Sequence, residues 1–222
     1  MNSLLPPRPA AEPWPTDGVE TREVRSARFR TAFFLRGLDP LDRAVYRHVA
    51  GASLPLLDVP LRRVSHFANY SKPWLVVAGC LTVFGGRRGR RAAIVGLGAV
   101  GTTSLVVNQP MKLAGDRARP DRDGHEVPER RRVAMPTSTS FPSGHSASAA
   151  AFAVAVGDVI PALRLPLRAA AGTVAFTRVY TGVHYPSDVL VGAGVGALIG
   201  RSVSRAASRW GAGRGAAPSS VA

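Results

Sequence analysis

Residues 139–157, TSFPSGHSASAAAFAVAVG, decide how this chain is read. A loop of hydroxyls and proline gives way at His145 to an uncharged run made almost wholly of Ala, Ser, Val and Gly. A soluble core would fill such a run with larger Leu and Phe, whereas helices in a bilayer use small residues to bring their backbones close together. Residues 93–104 (AIVGLGAVGTTS) and 189–200 (VLVGAGVGALIG) share that composition.

Outward from there lie five apolar segments: 73–86, 92–111, 146–163, 165–177 and 189–200, with Asp158 and Arg168 as their charges. Residues 92–111 are uncharged over 20 positions, the length a spanning helix needs. The other four are shorter, and by hydropathy alone they also suit buried helices of a soluble bundle. Between 41 and 67 the apolar residues of LDRAVYRHVAG and LLDVPLRRVSHF fall on one stripe, as in amphipathic helices lying on a surface. The expected fold is all-α: a membrane-embedded helical bundle of about five spanning or near-spanning helices, preceded by amphipathic helices. Its domain covers 41–205, between a flexible polar tail at 1–40, which lacks the apolar core of a secretion signal, and a disordered tail at 206–222.

Twenty-nine basic residues against 14 acidic ones give a net charge of +15, and all the basic residues but Lys72 and Lys112 are Arg. Such a balance suits nucleic acid, an anionic membrane surface or a phosphorylated substrate, although a solvated Arg-rich surface accounts for many individual arginines. The single cysteine, Cys80, excludes an internal disulfide and a thiolate metal cluster, and is expected to be a packing residue.

Three clusters carry chemistry, each at the end of an apolar segment. In KLAGDRARP, Lys112 and Arg119 stand seven residues apart, so a helix continuing to Pro120 would aim both cations the same way. In PSGHS, Ser143 and Gly144 open the alanine-rich helix. Free backbone N–H groups there favour a phosphate, with His145 beside it. An ordinary cap with an incidental histidine is the other reading. In TRVYTGVHYPSDV, Pro186 suits the first position of a helix, which sets Asp188 in its first turn. From there the carboxylate can accept the Nδ1 proton of His184 and leave Nε2 as a nucleophile. Arg178 adds a two-pronged donor for phosphate oxygens, or completes a structural salt bridge with Asp188 and His184. His48, His66 and His125 lie in amphipathic or charged stretches and suit surface or packing roles.

In order these clusters read K-x6-RP, PSGH and R-x5-H-x3-D, and here the chain resembles the type 2 phosphatidic acid phosphatase (PAP2) superfamily. The resemblance is close from 112 to 188 and looser in the flanking helices. Thr177 stands where the family pattern usually has Ser, which keeps a hydroxyl. The resemblance implies a metal-independent phosphatase that needs no cofactor and forms a phosphohistidine. His184 attacks phosphorus, Asp188 orients it, and His145 protonates the leaving oxygen. Lys112, Arg119, Ser143, Gly144 and Arg178 hold the phosphate. The implied partners are a membrane lipid phosphate and the bilayer, not nucleic acid. Candidate substrates are polyprenyl phosphates or diphosphates, phosphatidate, phosphatidylglycerol phosphate and polyprenyl-linked sugar phosphates.

The expected location is the cell membrane, crossed several times. Arg87–Arg91, Arg164 and Arg168 lie on the side opposite the three clusters, and if that side is cytoplasmic the site faces outward. The site-side loop is basic too, with seven Lys or Arg from Lys112 to Arg132. Two alternatives use other chemistry. One is a vanadate-dependent, haloperoxidase-like pocket. The other is a non-enzymatic basic protein that binds membrane or nucleic acid, which would explain the charge but not three ordered clusters.

Overall fold

The chain's apolar segments all become helix. The computed structural model describes residues 22–215 other than 53, 116 and 126, and no strand occurs among them. The helices are α1 (Arg22–Gly51), α2 (Pro55–Phe67), α3 (Lys72–Phe84), α4 (Gly86–Val106), α5 (Lys112–Ala114), α6 (Gly144–Val159), α7 (Arg164–Tyr180) and α8 (Pro186–Gly215). A π-helical turn, Val107–Met111, joins α4 to α5 and contains Pro110, which has no N–H to give to the helical ladder.

The alanine-rich run, α6, sits in the middle of the bundle and packs on α4, α7 and α8, while α3 covers α4. Ala147, Ala149, Ala151, Ala153 and Ala155 are all buried, together with Phe152 and Val156, so this helix is enclosed along most of its middle, with Ser148, Ala150 and Val154 half-buried. The seam with α8 is the tightest in the molecule. Gly192, Gly196 and Gly200 follow one another at four-residue spacing along one face of α8. A methyl group on them would come within 2.5, 2.0 and 2.4 Å of the Ser143, Ala147 and Ala151 carbonyl oxygens. Only glycine allows this backbone-on-backbone contact, the small-residue packing expected of helices in a bilayer.

Large apolar side chains point outward on most of the helices, among them Leu75 and Phe84 of α3, Ile94 and Leu105 of α4, Leu165 of α7, and Leu190 and Leu198 of α8. Gly86–Ala114 and Pro186–Trp210 are long and apolar enough to cross a membrane. An apolar surface spread over so many helices suits contact with lipid.

Several expectations are corrected. The tail boundaries at 40 and 205 fall inside helices, because α1 starts at Arg22 and α8 ends at Gly215. The Arg, Ala and Leu residues of those stretches are good helix formers despite their charge. The rest of both proposed tails, 1–21 and 216–222, lies outside the described residues. The helix bearing Lys112 does not reach Pro120, since α5 stops at Ala114. A Cβ at Gly115 would lie 2.7 Å from the Phe141 carbonyl oxygen, so the chain turns here against the loop that precedes α6. Cys80 is exposed on α3 rather than packed.

Candidate active site

The three clusters meet where the start of α6, the end of α7 and the start of α8 come together. Ser143 is the N-cap of α6, fully buried, with its Oγ accepting from the Ser146 N–H. Its own backbone N–H donates to the Asp188 carbonyl at 2.9 Å, which ties the N-terminal end of α6 to the first turn of α8. Ser143 thus caps α6 and holds the start of that helix against α8. Gly144 and His145 form the first turn of α6.

At the end of α7, the N–H groups of Val183 and His184 both donate to the Arg178 carbonyl, at 3.1 and 3.2 Å. Gly182 makes this turn with φ +71°, in a space where a Cβ would come within 2.8 Å of Arg122 and the Tyr46 hydroxyl. His184 is therefore set by backbone bonds, and it is buried.

Around the His184 ring the groups have opposite characters. Arg119 Nη1 approaches Nε2 at 3.4 Å, and a guanidinium only donates, so the Nε2 lone pair faces it and the proton belongs on Nδ1. Nδ1 lies 3.4 Å from Ser140 Oγ and 3.6 Å from Asp188 Oδ2. The latter is an ion-pair distance, longer than the hydrogen bond anticipated from sequence. Asp188 Oδ2 accepts instead from Ser140 Oγ at 2.5 Å and from the Tyr185 N–H at 2.9 Å. Burial, opposed by Asp188, holds the His184 imidazole below its usual pKa, which favours the neutral ring.

Lys112 and Arg119 do converge, but through the loop rather than along a helix. Lys112 Nζ donates to Ser138 Oγ at 2.8 Å, and Arg119 Nε donates to the Ser138 carbonyl at 2.9 Å. Arg119 Nη1 also reaches the Val183 carbonyl at 2.7 Å. Arg178, only 2% exposed, gives Nη2 to the Ser65 carbonyl at 3.1 Å, while its buried Nε has no hydrogen-bond partner. Among the described residues no carboxylate pairs with Lys112, Arg119 or Arg178, although all three act electrostatically on His145. A cleft of about 480 Å³ opens beside them, lined by Lys112, Arg119, Gly144, His145 and His184 among others. Ser143, Arg178 and Asp188 stand behind this first layer.

The sequence did not single out Arg117, Ser138, Ser140 or Asn69. Arg117 bonds Asp188 Oδ1 at 2.9 Å, Asp39 at 2.7 Å and Asp42 at 2.8 Å, and its guanidinium lies 4.2 Å from the Tyr185 ring centre. Asn69 Oδ1 is 3.0 Å from His145 Nε2. Asn69 lies between α2 and α3, where Tyr70 and Ser71 hold φ values of 56° and 57° in succession.

A family model described as "PAP2 superfamily" matches residues 92–212. This chain belongs to the PAP2 superfamily. Together with the relatives below, that membership makes it a phosphatase. The decaprenylphosphoryl-5-phosphoribose phosphatase of Mycobacterium tuberculosis (strain ATCC 25618 / H37Rv) is 35% identical over 135 residues, covering 59% of this chain and 70% of that protein. Its counterpart in Mycolicibacterium smegmatis is 34% identical over 163 residues, covering 71% and 82%. Lipid A 1-phosphatase of Rhizobium etli is 31% identical over 146 residues, covering 54% and 59%. Among solved structures, a transmembrane PAP2-type phosphatidylglycerolphosphate phosphatase from Bacillus subtilis superposes with TM-score 0.62 at 20% identity, covering 85% of this chain and 98% of that one. At that identity the likeness extends to the fold, a PAP2-type helical bundle.

Proposed function

We infer that this PAP2 phosphatase hydrolyses the phosphate or diphosphate of a membrane lipid through a phosphohistidine on His184. The observation that carries the reading is the buried His184 imidazole beside a cleft where, among the described residues, Lys112, Arg119 and Arg178 have no carboxylate partner. Such a cluster is complete only with an anion bound. The phosphatases that match this chain in sequence are named for lipid phosphates.

The steps of this reading use the groups that the geometry brings together. Nε2 of His184 attacks phosphorus, forming a P–N bond as the P–O bond to the leaving group breaks. Burial and the cations around it hold the pKa of the His145 imidazole down at about 3, so it takes up a proton with the phosphate's negative charge in place and then gives that proton to the leaving oxygen. The Nδ1 proton stays on the ring, and the positive charge that develops there faces Asp188 and Ser140. Lys112, Arg119, Arg178 and the N–H groups at the start of α6 stabilise the equatorial oxygens as charge shifts. Water then enters, His145 takes its proton, and the P–N bond breaks to release phosphate.

The protein crosses the membrane several times in this reading, with the site on the outer side. Support comes from the outward apolar residues of α3, α4, α7 and α8, and from the arginines of 87–91, 164 and 168 at the far end. Arg87→Cys and Thr137→Cys in a Cys80→Ser background, labelled in intact cells by an impermeant thiol reagent, test it. Label at position 87 rather than 137 reverses the orientation.

The test of the activity is phosphate release in detergent with EDTA from farnesyl diphosphate, farnesyl phosphate, phosphatidate and phosphatidylglycerol phosphate. Release that survives the chelator and falls by about 10⁴-fold or more in His184→Ala is expected. Comparable release by the variant would overturn the role of His184.

A further inference from the structure

The two histidines of the site are held in different ways. His184 is set by backbone bonds in a tight turn, whereas the His145 ring meets a side chain from a distant part of the chain, with Asn69 Oδ1 3.0 Å from Nε2. An amide oxygen only accepts, so Nε2 carries the proton of the neutral ring and Nδ1 keeps the lone pair.

Packing sets the distance between the two residues. Ala68 and Trp74, on either side of Asn69, are buried in one apolar cluster with Ala149 and Phe152 of α6, and the Trp74 and Phe152 rings lie 5.4 Å apart. The junction from α2 to α3 is thus pinned to the helix that bears His145. Four residues before Asn69, the Ser65 carbonyl accepts from Arg178 Nη2, so the same junction braces a second group of the site. Directly after Asn69, Tyr70 and Ser71 are consecutive non-glycine residues in the left-handed region, a strain that persists where the surroundings impose it and that gathers at functional sites.

The residue type matters as much as the place. Lys112, Arg119 and Arg178 all act electrostatically on His145. A carboxylate at position 69 would also accept from Nε2, but its charge would pair with those cations and compete with a phosphate. An amide orients the ring and leaves the cations to the anion.

We propose that Asn69 is the positioning residue of the proton donor: it accepts from Nε2 of His145, fixes that tautomer, and leaves Nδ1 as the nitrogen that moves protons. The proposal rests on the hydrolytic reading above. As the P–O bond breaks, the proton on Nδ1 passes to the leaving oxygen. In the second step Nδ1 takes the proton of the attacking water, and the Nε2 proton stays directed at Asn69 throughout. Without the amide the ring can turn and exchange tautomers, and a misplaced donor loses roughly 10- to 100-fold of its effect.

The experiment compares leaving groups that share one tail. Farnesyl phosphate loses an alkoxide, which needs a proton, whereas farnesyl diphosphate loses farnesyl phosphate, an anion that leaves without one. In the full-length protein, Asn69→Leu should lower the ratio of kcat/KM for farnesyl phosphate to that for farnesyl diphosphate by roughly 10- to 100-fold. Asn69→Asp keeps the acceptor and should restore the ratio, with KM raised on both probes by the added charge. Equal losses on both probes in Asn69→Leu would reduce Asn69 to a packing role and overturn the proposal. Wild type acting on the diphosphate alone would overturn it too, since no leaving oxygen would then call for a proton. A second measurement needs no turnover: in protein with ¹⁵N-labelled histidine, the resonances lost in His145→Gln report the tautomer. Wild type should carry the proton on Nε2 and Asn69→Leu should not, and this result decides if wild type acts on farnesyl phosphate alone. A wild-type ring protonated on Nδ1 overturns this proposal and leaves the hydrolytic reading standing. Failure of wild type to release phosphate from either probe removes that reading, and this inference with it.

Discussion

Arg117 and Arg119 are two residues apart and lead opposite lives. Arg117 is surrounded by carboxylates from Asp39, Asp42 and Asp188, and nothing about it is incomplete. Arg119 meets carbonyls, one serine hydroxyl and the edge of an imidazole, none of which cancels its charge. Burial holds its guanidinium below the usual pKa, with Asp188 acting in the opposite direction. The first arginine is part of the fold. The second lines the cleft proposed to take the phosphate, and the difference shows in the neighbours rather than in the residue type.

The sharpest way to break that comparison is to remove each charge in turn. Arg117→Gln leaves Asp42 and Asp188, both buried, without their cation, and should cost about 3–5 kcal/mol in unfolding free energy. Arg119→Gln should leave thermal stability unchanged or raise it, while kcat/KM falls by about 10²–10³-fold. If the two variants exchanged these effects, the division into structural and functional cations would be wrong.

A smaller effect sharpens the same point without chemistry. Vanadate binding to the cluster should raise the unfolding free energy by about 2.7 kcal/mol at a hundred times its Kd. The protection should vanish in Arg119→Gln, and equal protection of that variant would place the anion elsewhere. The smallest expected effect concerns pH. The folded-state pKa of His184 is depressed, so its contribution to stability is intact above the unfolded value of about 6.5 and is lost as pH falls towards the folded value. The neutral nucleophile persists over the same range, which sets the acid limb of kcat/KM below about pH 6.5. An acid limb above that value in the pH profile would contradict the buried, neutral ring.

What the sequence shows and what it hides follow from the range of the contacts. PSGH and R-x5-H-x3-D are local patterns fixed by a helix cap and a tight turn, so their residues fall into place from spacing alone. The alanine and glycine runs likewise announce close helix packing. Arg117, by contrast, meets Asp188 across 71 residues, and Ser140 meets it across 48. Nothing in the spacing distinguishes Arg117 from the many other arginines of the chain. The pairing of Asn69 with His145, 76 residues apart, is hidden for the same reason. Lys112 and Arg119 converge through Ser138 and not through a helical repeat, because the helix bearing Lys112 stops at Ala114.

The glycine seam between α6 and α8 sets where this protein tolerates change. Ser143 and Asp188 are joined backbone to backbone at one end of that seam, so the spacing of the α6 cap from the loop bearing His184 is fixed by two main chains in contact, with no side chain between them to adjust. Gly200 faces Ala151, eight residues and about 12 Å along α6 from the cap. A mutational map of the chain should therefore run its deepest intolerance in a line along the bundle axis, so that a methyl group far from any reacting atom does as much harm as one beside it.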